Sequence, residues 1–480
     1  MKSVPSTPRR ALLSALAALA LMAIPASAQQ TALRDPAEPP QQKPMPKPVP
    51  KLLPRPAGAV ARSSVDEKSM RALIAKLVAC GTRLTLSAWD DPKRGAGCGR
   101  DVVVARFNEI AADSGGRLQV VVDKFEATSE RTSSQPAHLE NVYAILPGSD
   151  PLLSKTLFIV SGHFDSRPSN PTDPQADAPG ADDDASGVAV SVECARLLSK
   201  TAPGGAGPAK AGPNGRGTYR ATILFAAVSG EEQGLLGSTH LLEWTKQQGY
   251  TVGGMLTDDI VGADSAPGAP HRVRLFSGTG EIDDADSPSR ELARAVEEID
   301  GRAAIRMIFR IDRFGRGGDH YPFYKAGLPA VRFTEPLEDY NHQHQTPRTE
   351  NGIEYGDFEK YLNFTFMGNV ARDNAEALRQ LALAPAPPEA PKLSGAVTPD
   401  AKVAWTAQDD PQRAGFEILW RDTTDPRWTV YDFAAAPGEA VLKGVSTDNH
   451  FFAVRSVGKN GARSIAIPTE IARRPAPPAR

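Results

Sequence analysis

The chain has 480 residues, of which 40% are hydrophobic and 23% charged, enough to bury the core of more than one globular domain. Its 55 basic residues nearly balance 57 acidic ones, a formal charge of −2. No strong basic field therefore points to nucleic acid as a partner.

Lys2, Arg9 and Arg10 precede an apolar run from Ala11 to Ile24, and Ala26-Ser27-Ala28 supplies a small-x-small cleavage site. Residues 1–28 therefore read as a secretory signal peptide, and the mature chain is expected to begin at Gln29. The run is too short to span a bilayer and no other stretch is long enough, so the mature protein is expected to be exported, periplasmic or secreted, without a membrane span. Export permits disulfides. Of the three cysteines, Cys80 and Cys98 share one loop-rich stretch, where a bridge and two free thiols are both open. Cys194 falls in a helical pattern and reads as a buried thiol.

Residues 29–58 are rich in Pro, Gln and Lys and read as a linker. From residue 59 to 383 helical and strand patterns alternate, which predicts an α/β fold with a mixed, mostly parallel sheet between helices. Helical spacing covers Val65–Leu77, Asp101–Ala112 and Phe358–Leu383; Leu118–Val122 and Asn141–Leu146 read as strands. Thr201–Gly217 is Gly- and Pro-rich and reads as a surface insertion. Residues 384–391 form a second Pro-rich linker. Short alternating runs in 392–474, among them Ala401–Trp405, Gly415–Trp420 and His450–Val457, predict a small all-β sandwich, before a Pro-rich tail at 475–480.

Three apolar strands in the first domain end in charge. Thr156–Ser161 runs into His163-Phe164-Asp165, which is followed after a Pro-rich loop by Asp182-Asp183-Asp184 and a helix. Ala221–Val228 runs into Ser229-Gly230-Glu231-Glu232. Met255-Leu256-Thr257 leads into Asp258-Asp259. Ligands bind at the carboxyl ends of strands in open α/β sheets. Three adjacent aspartates alone fit a solvated loop, and two glutamates fit the first turn of a helix. Four of the eight histidines, at 163, 320, 342 and 344, nevertheless fall in these loops or in the later Gly-rich and Pro-flanked ones. Imidazole and carboxylate donors without thiolates suit zinc or a similar first-row metal. Two ions about 3.5–4 Å apart need a carboxylate between them. A carboxylate that is not a ligand is then needed to carry the proton of an attacking water.

The motifs His163-Phe164-Asp165-Ser166, Pro179–Gly187, Gly230–Ser238, Asp259-Ile260-Val261-Gly262 and Asp319-His320-Tyr321-Pro322-Phe323, in this order, resemble metallopeptidase family 28, the co-catalytic zinc exopeptidases. The resemblance covers Ser64 to Leu383 and implies the zinc exopeptidase fold, two Zn2+ per chain and peptide or protein substrates. It implies that His163 and Asp259 bind one zinc, Glu232 and His344 the other, and Asp183 both, with Glu231 as general base. It implies that Asp165 orients His163 through the second ring N–H. Asp258 is a weaker alternative to Asp259, which occupies the family's acid position before a hydrophobic pair and Gly; His342 competes with His344, because His342-Gln343-His344-Gln345-Thr346-Pro347-Arg348 departs from the family's usual run by placing Arg348 where an Asp is common. Asp319 and His320 match a motif near the substrate cleft, and Tyr340 is a candidate oxyanion donor. The implied activity is that of an exported aminopeptidase. A carboxypeptidase, a glutaminyl cyclase and a non-catalytic binding ectodomain of the same fold are the alternatives. The C-terminal part resembles a fibronectin type III domain. No motif specifies side-chain preference or oligomeric state.

Overall fold

A computed structural model describes residues 53–200, 219–264, 271–279 and 286–471. The expected signal peptide, residues 29–52 of the first linker, the 201–217 insertion and the C-terminal tail lie outside the described residues. The elements follow in chain order. They begin with α1 (Glu67–Val78), α2 (Ala96–Asp113), β1 (Gln119–Ala127), β2 (Ala137–Leu146), β3 (Thr156–His163) and α3 (Ala185–Lys200). Next come β4 (Thr222–Val228), α4 (Leu236–Gln247), β5 (Thr251–Asp258), β6 (Val273–Phe276), α5 (Pro288–Asp300) and β7 (Ile305–Ile308). Then come α6 (His320–Lys325), β8 (Ala330–Thr334), the short hairpin of β9 (Arg348–Glu350) and β10 (Ile353–Tyr355), and α7 (Phe364–Leu383).

The eight-stranded sheet has the order β1-β2-β4-β3-β5-β8-β6-β7. Its four central strands, β4, β3, β5 and β8, are mutually parallel, whereas β2 and β6 join them antiparallel. The central strands are buried on both faces, and successive side chains alternate between two cores. In β3, Phe158 and Val160 pack with residues of α1, α2, α3, α5 and α7, while Leu157 and Ile159 pack with α4 and α6 on the other face. Helices therefore cover both sides of the sheet, and the carboxyl ends of the parallel strands are left for the loops.

Helix α7 begins at Phe364 rather than Phe358, because Asn363 caps it by accepting the Thr365 and Phe366 backbone N–H groups. Ahead of it, Glu359–Tyr361 forms one turn of 3-10 helix. Helix α2 begins five residues before the apolar spacing starts, at Ala96, where Gly97 lies so close to Trp89 that a Cβ would collide with the Trp89 backbone. Cys80 and Cys98 are joined by a disulfide that ties the end of α1 to the start of α2, and Cys194 is a free buried thiol.

After α7 come β11 (Glu389–Ser394), β12 (Ala401–Thr406), β13 (Arg413–Asp422), β14 (Thr429–Ala434), β15 (Gly438–Leu442), β16 (His450–Gly458), β17 (Ile467–Pro468) and β18 (Glu470–Ile471). They make two four-stranded sheets, β15-β12-β11-β18 and β14-β13-β16-β17. Val403 and Trp405 from one sheet share an apolar core with Phe416, Ile418, Phe452 and Val454 from the other.

This all-β part is seated by ion pairs on α5 and on Arg220, just before β4. Arg427 reaches both Glu297 oxygens at 2.7 Å, and Arg220 reaches both Asp410 oxygens at 3.1 and 2.8 Å. Trp428 donates its indole N–H to Glu291 at 2.6 Å. The stretches expected as linkers are held as well: Arg55 binds Glu298 and Gln380, and the Ala386 N–H donates to Asp410.

Glu298 sits between Arg455 and Arg55, at 2.5 and 2.9 Å. Burial alone would raise its pKa, but Arg455 and then Arg55 outweigh it and lower it from 4.5 to about 2. A depressed carboxylate contributes stability that is complete above the unfolded value and is lost as pH falls through the folded one. Glu298→Gln should therefore lower the unfolding temperature near neutral pH, and the gap to wild type should close between pH 4.5 and about 2. Because the Glu298 side chain is 42% exposed and screened by solvent, the neutral-pH loss should be about 1 kcal/mol or less. Thermal unfolding across that window checks this, and a pH-independent gap would contradict it.

Candidate metal centre

The four central strands deliver their terminal loops to one place. His163 is the last residue of β3, Asp259 directly follows β5, and Glu231 and Glu232 follow β4. His344 lies in the loop after β8, with a left-handed backbone (φ 57°) that turns it back toward the sheet. Asp183 stands just before α3, and its peptide bond to Asp184 is cis.

Asp183 is central. Its Oδ1 lies 3.3 Å from His163 Nε2, and its Oδ2 lies 2.9 Å from His344 Nε2. His163 Nε2 is also 3.8 Å from Asp259 Oδ1, and His344 Nε2 is 3.0 Å from Glu232 Oε1. His163, Asp259 and Glu232 are buried, yet His163 Nε2, Asp259 Oδ1 and Glu232 Oε1 have no hydrogen-bond partner. Three buried ligand atoms without a hydrogen-bond partner, gathered at one site, fit a cation, because an unpaired buried polar atom is otherwise costly. The all-nitrogen-and-oxygen donor set suits zinc. Asp184 also approaches His163 and Asp259. Its oxygens are already taken by backbone N–H groups of His163, Gly187 and Ile260, so it braces three loops rather than offering a free lone pair.

The electrostatics agree. Burial would lower the His344 pKa, but Glu232 and Asp183 override it and raise it to about 10. The same contest, with Asp165, Asp183 and Asp259 as partners, holds His163 well above its ordinary value. Burial pushes the Glu231 carboxyl well up, opposed by His163 and reinforced by Glu232. The site as a whole favours added positive charge.

The structure separates the paired alternatives. Asp258 points away from the centre and accepts from Asn374 Nδ2 at 2.9 Å, while Asp259 faces His163. His342 stacks on the Tyr361 ring at 3.7 Å and takes no part in the cluster, whereas His344 does. Asp165 faces His163 as expected, its Oδ1 lying 3.5 Å from His163 Nδ1, with its backbone oxygen nearer at 3.1 Å. Its carboxylate also accepts from the Glu231 and Glu232 backbone N–H groups and from Thr85, so it anchors the Glu231-Glu232 turn as well.

Asp319 and His320 are fully buried and do not line the cleft; His320 Nε2 bonds the Ile311 carbonyl. Tyr340 is 66% exposed and lies outside the cleft wall, so it is not brought to the site; Tyr321 lines the wall instead.

Several residues that support the centre carry no motif. Gln343 donates to Asp183 Oδ2 at 3.1 Å, and Asp357 accepts the Asp182 and Asp183 backbone N–H groups. Buried Arg332 pairs with Asp259 Oδ2 at 2.8 Å and with Asp312 at 3.5 Å. The neighbourhood of Gln343 between two histidines was visible in the sequence; nothing there marked Arg332, on β8, or Asp357. In front of the centre opens a cleft of about 820 Å³ whose wall includes Asp183, Glu231, Glu232, Asp259 and His344.

A buried set of imidazoles and carboxylates at the ends of parallel strands, open to a large cleft, is the site of a metal-dependent hydrolase. Residues 141–363 match the model of Peptidase family M28. A protein of Leptosphaeria maculans named "probable zinc metalloprotease" is 37% identical over 425 residues, covering 84% of this chain and 94% of that one. A protein of the same name from Pyricularia oryzae is 37% identical over 437 residues, covering 85% and 83%. Among solved structures, the LapA aminopeptidase of Legionella pneumophila aligns with a TM-score of 0.48 at 19% identity, over 68% of this chain and 73% of that one. A glutaminyl cyclase of Porphyromonas gingivalis aligns with a TM-score of 0.44 at 17% identity, over 66% and 98%. The chain belongs to peptidase family M28 and is a zinc metallopeptidase.

Arg332 is fully buried and is the only cation within ion-pair distance of Asp259 among the described side chains other than histidine. Arg332→Met should leave Asp259 and Asp312 short of a partner and cost about 3–5 kcal/mol, read by denaturant unfolding. Loss of under about 1 kcal/mol would show that the pair is not stabilising.

Proposed function

We propose that the chain is an exported aminopeptidase that uses two zinc ions to remove N-terminal residues from peptides. The observation that carries this reading is the position of Asp183, whose two oxygens face His163 and His344 separately. A carboxylate placed between two donor sets is what a two-ion site needs. His163 and Asp259 would hold one ion, Glu232 and His344 the other, and Asp183 both. When bound, the ions supply Lewis acidity at the substrate carbonyl and lower the pKa of an attacking water towards ~7.

The rest is done by the chain's own groups. Asp165 fixes the turn that presents Glu231 beside Glu232. Glu231 lines the cleft without a place in either donor set, so its carboxylate is free to take a proton from the attacking water and deliver it to the leaving nitrogen. Gln343 and Arg332 hold Asp183 and Asp259 in their orientations. Export is supported by the N-terminal cationic and apolar pattern and by the Cys80–Cys98 bridge, which suits an oxidising compartment. The C-terminal unit is read as fibronectin type III-like, with a docking or stabilising role.

Glu231→Gln should lower kcat by about 10²–10⁴ while leaving zinc content unchanged, measured on aminoacyl-nitroanilides beside elemental analysis. Wild type should carry two zinc ions and Asp183→Ala fewer, and chelation should abolish cleavage. A single zinc in the wild type would remove the two-ion reading, and cleavage restricted to N-blocked peptides would remove the aminopeptidase one. Export predicts a mature N-terminus at Gln29, read by N-terminal sequencing of the exported protein.

A further inference from the structure

The wall of the cleft outside the metal centre is rich in arginine: Arg131, Arg167, Arg310, Arg313 and Arg316 all line it. Two of them are neutralised within the protein. Arg313 and Arg316 each bind Glu338 at 2.7 Å, and Arg313 also binds Asp312. The other three are not. Arg131 donates to the Glu232 backbone carbonyl at 2.6 Å, and among the described residues neither it nor Arg310 has a carboxylate within ion-pair distance. Arg310 lies over the Phe314 ring, 5.6 Å from its centroid.

Arg167 is the most telling. Its side chain is only 16% exposed, its buried Nε has no hydrogen-bond partner, and its one acidic neighbour is Glu232, 3.8 Å away. Glu232 belongs to the proposed metal centre, so its charge is committed there. The only other wall carboxylate outside the centre and without an ion pair is the exposed Glu130. Three guanidiniums on the cleft wall thus share it with one unpaired carboxylate, and Arg167 stands 3.8 Å from Glu232 of the proposed centre. A largely buried guanidinium with an unmade hydrogen bond is stabilised by an anion that enters the site, and its planar fork matches a carboxylate.

We infer that Arg131, Arg167 and Arg310 form a substrate-carboxylate site, so that the preferred peptide carries a negative charge close to the scissile bond. The inference rests on the cleft being where the peptide binds. The charge has two possible sources, an acidic side chain or the free C-terminal carboxylate of a short peptide, and both present the same group to the arginines.

Matched peptides separate them. Leu-Asp-Ala-amide against Leu-Asn-Ala-amide varies the side chain, and Leu-Asn-Ala against its amide varies the terminus. In at least one pair the charged member should be hydrolysed with a kcat/KM about tenfold higher, a preference that shrinks as salt is raised and falls towards unity in Arg167→Gln. Arg310→Gln, at an exposed position, should reduce the same preference and keeps the test valid if Arg167→Gln folds poorly. Calorimetric titration of the zinc-loaded Glu231→Gln variant with the same peptides reads affinity without turnover. If neither pair discriminates in rate or in affinity, the carboxylate site is overturned, while cleavage of the neutral members would leave the aminopeptidase reading in place. If no peptide is cleaved yet a charged member binds about tenfold more tightly, the site stands and the aminopeptidase reading falls.

Discussion

Buried carboxylates of like charge, crowded at the ends of four strands, are the constraint around which this protein is built. Buried Asp183, Asp184, Asp259 and Glu232, with half-buried Glu231 beside them, line one neighbourhood, and like charges in a low-dielectric site repel unless cations or N–H donors face them. The fold answers with two kinds of partner. Backbone N–H groups take the carboxylates that shape the loops: Asp184 receives three, Asp165 two, and Asp357 those of Asp182 and Asp183. Imidazoles, Arg332 and Gln343 take the carboxylates that face the cleft. What those partners leave over is a set of donor atoms aimed at a common centre, which is why the geometry suits metal ions and not a simple salt-bridge network.

The surrounding architecture keeps that arrangement in register. Arg83 is fully buried and donates to the backbone carbonyls of Phe164, Pro179 and Gly180, so it pins the loop after β3 to the loop before α3. Burial lowers its pKa to about 10, against the pull of Asp357 and Asp165, so it remains charged through the neutral range. It follows α1 at the point where the Cys80–Cys98 bridge joins α2, which limits how far its backbone can drift. The all-β part acts at a greater distance: its ion pairs fall on Arg220 and on α5, which with α7 lines one face of the sheet. It contributes no residue to the cleft wall.

Arginine serves three different ends here. Arg83 satisfies carbonyls, Arg332 neutralises a carboxylate beside the proposed metal centre, and Arg427 and Arg220 bind one part of the chain to another. Arg131, Arg167 and Arg310 do none of these fully. Their setting is that of a surface shaped for something outside the chain.

The sequence by itself determined the α/β alternation and the placing of charge at strand ends, because apolar runs long enough to be buried strands stop abruptly at His163, Glu231 and Asp259. The motif order was enough to nominate the residues that the fold brings together. It ranked Asp259 above Asp258 only by motif position, and it could not choose between His342 and His344. Neighbouring side chains in extended or turning backbone point to opposite sides, and the direction depends on strand register and on the left-handed turn at His344. Nor could it show that the Asp165 carboxylate is shared between His163 and the Glu231-Glu232 turn, since that sharing exists only once the loops have closed. Arg332, Asp357 and the arginine wall became legible only in the tertiary structure, because each acts on partners tens to hundreds of residues away, and burial turns an ordinary charged residue into one that must be matched.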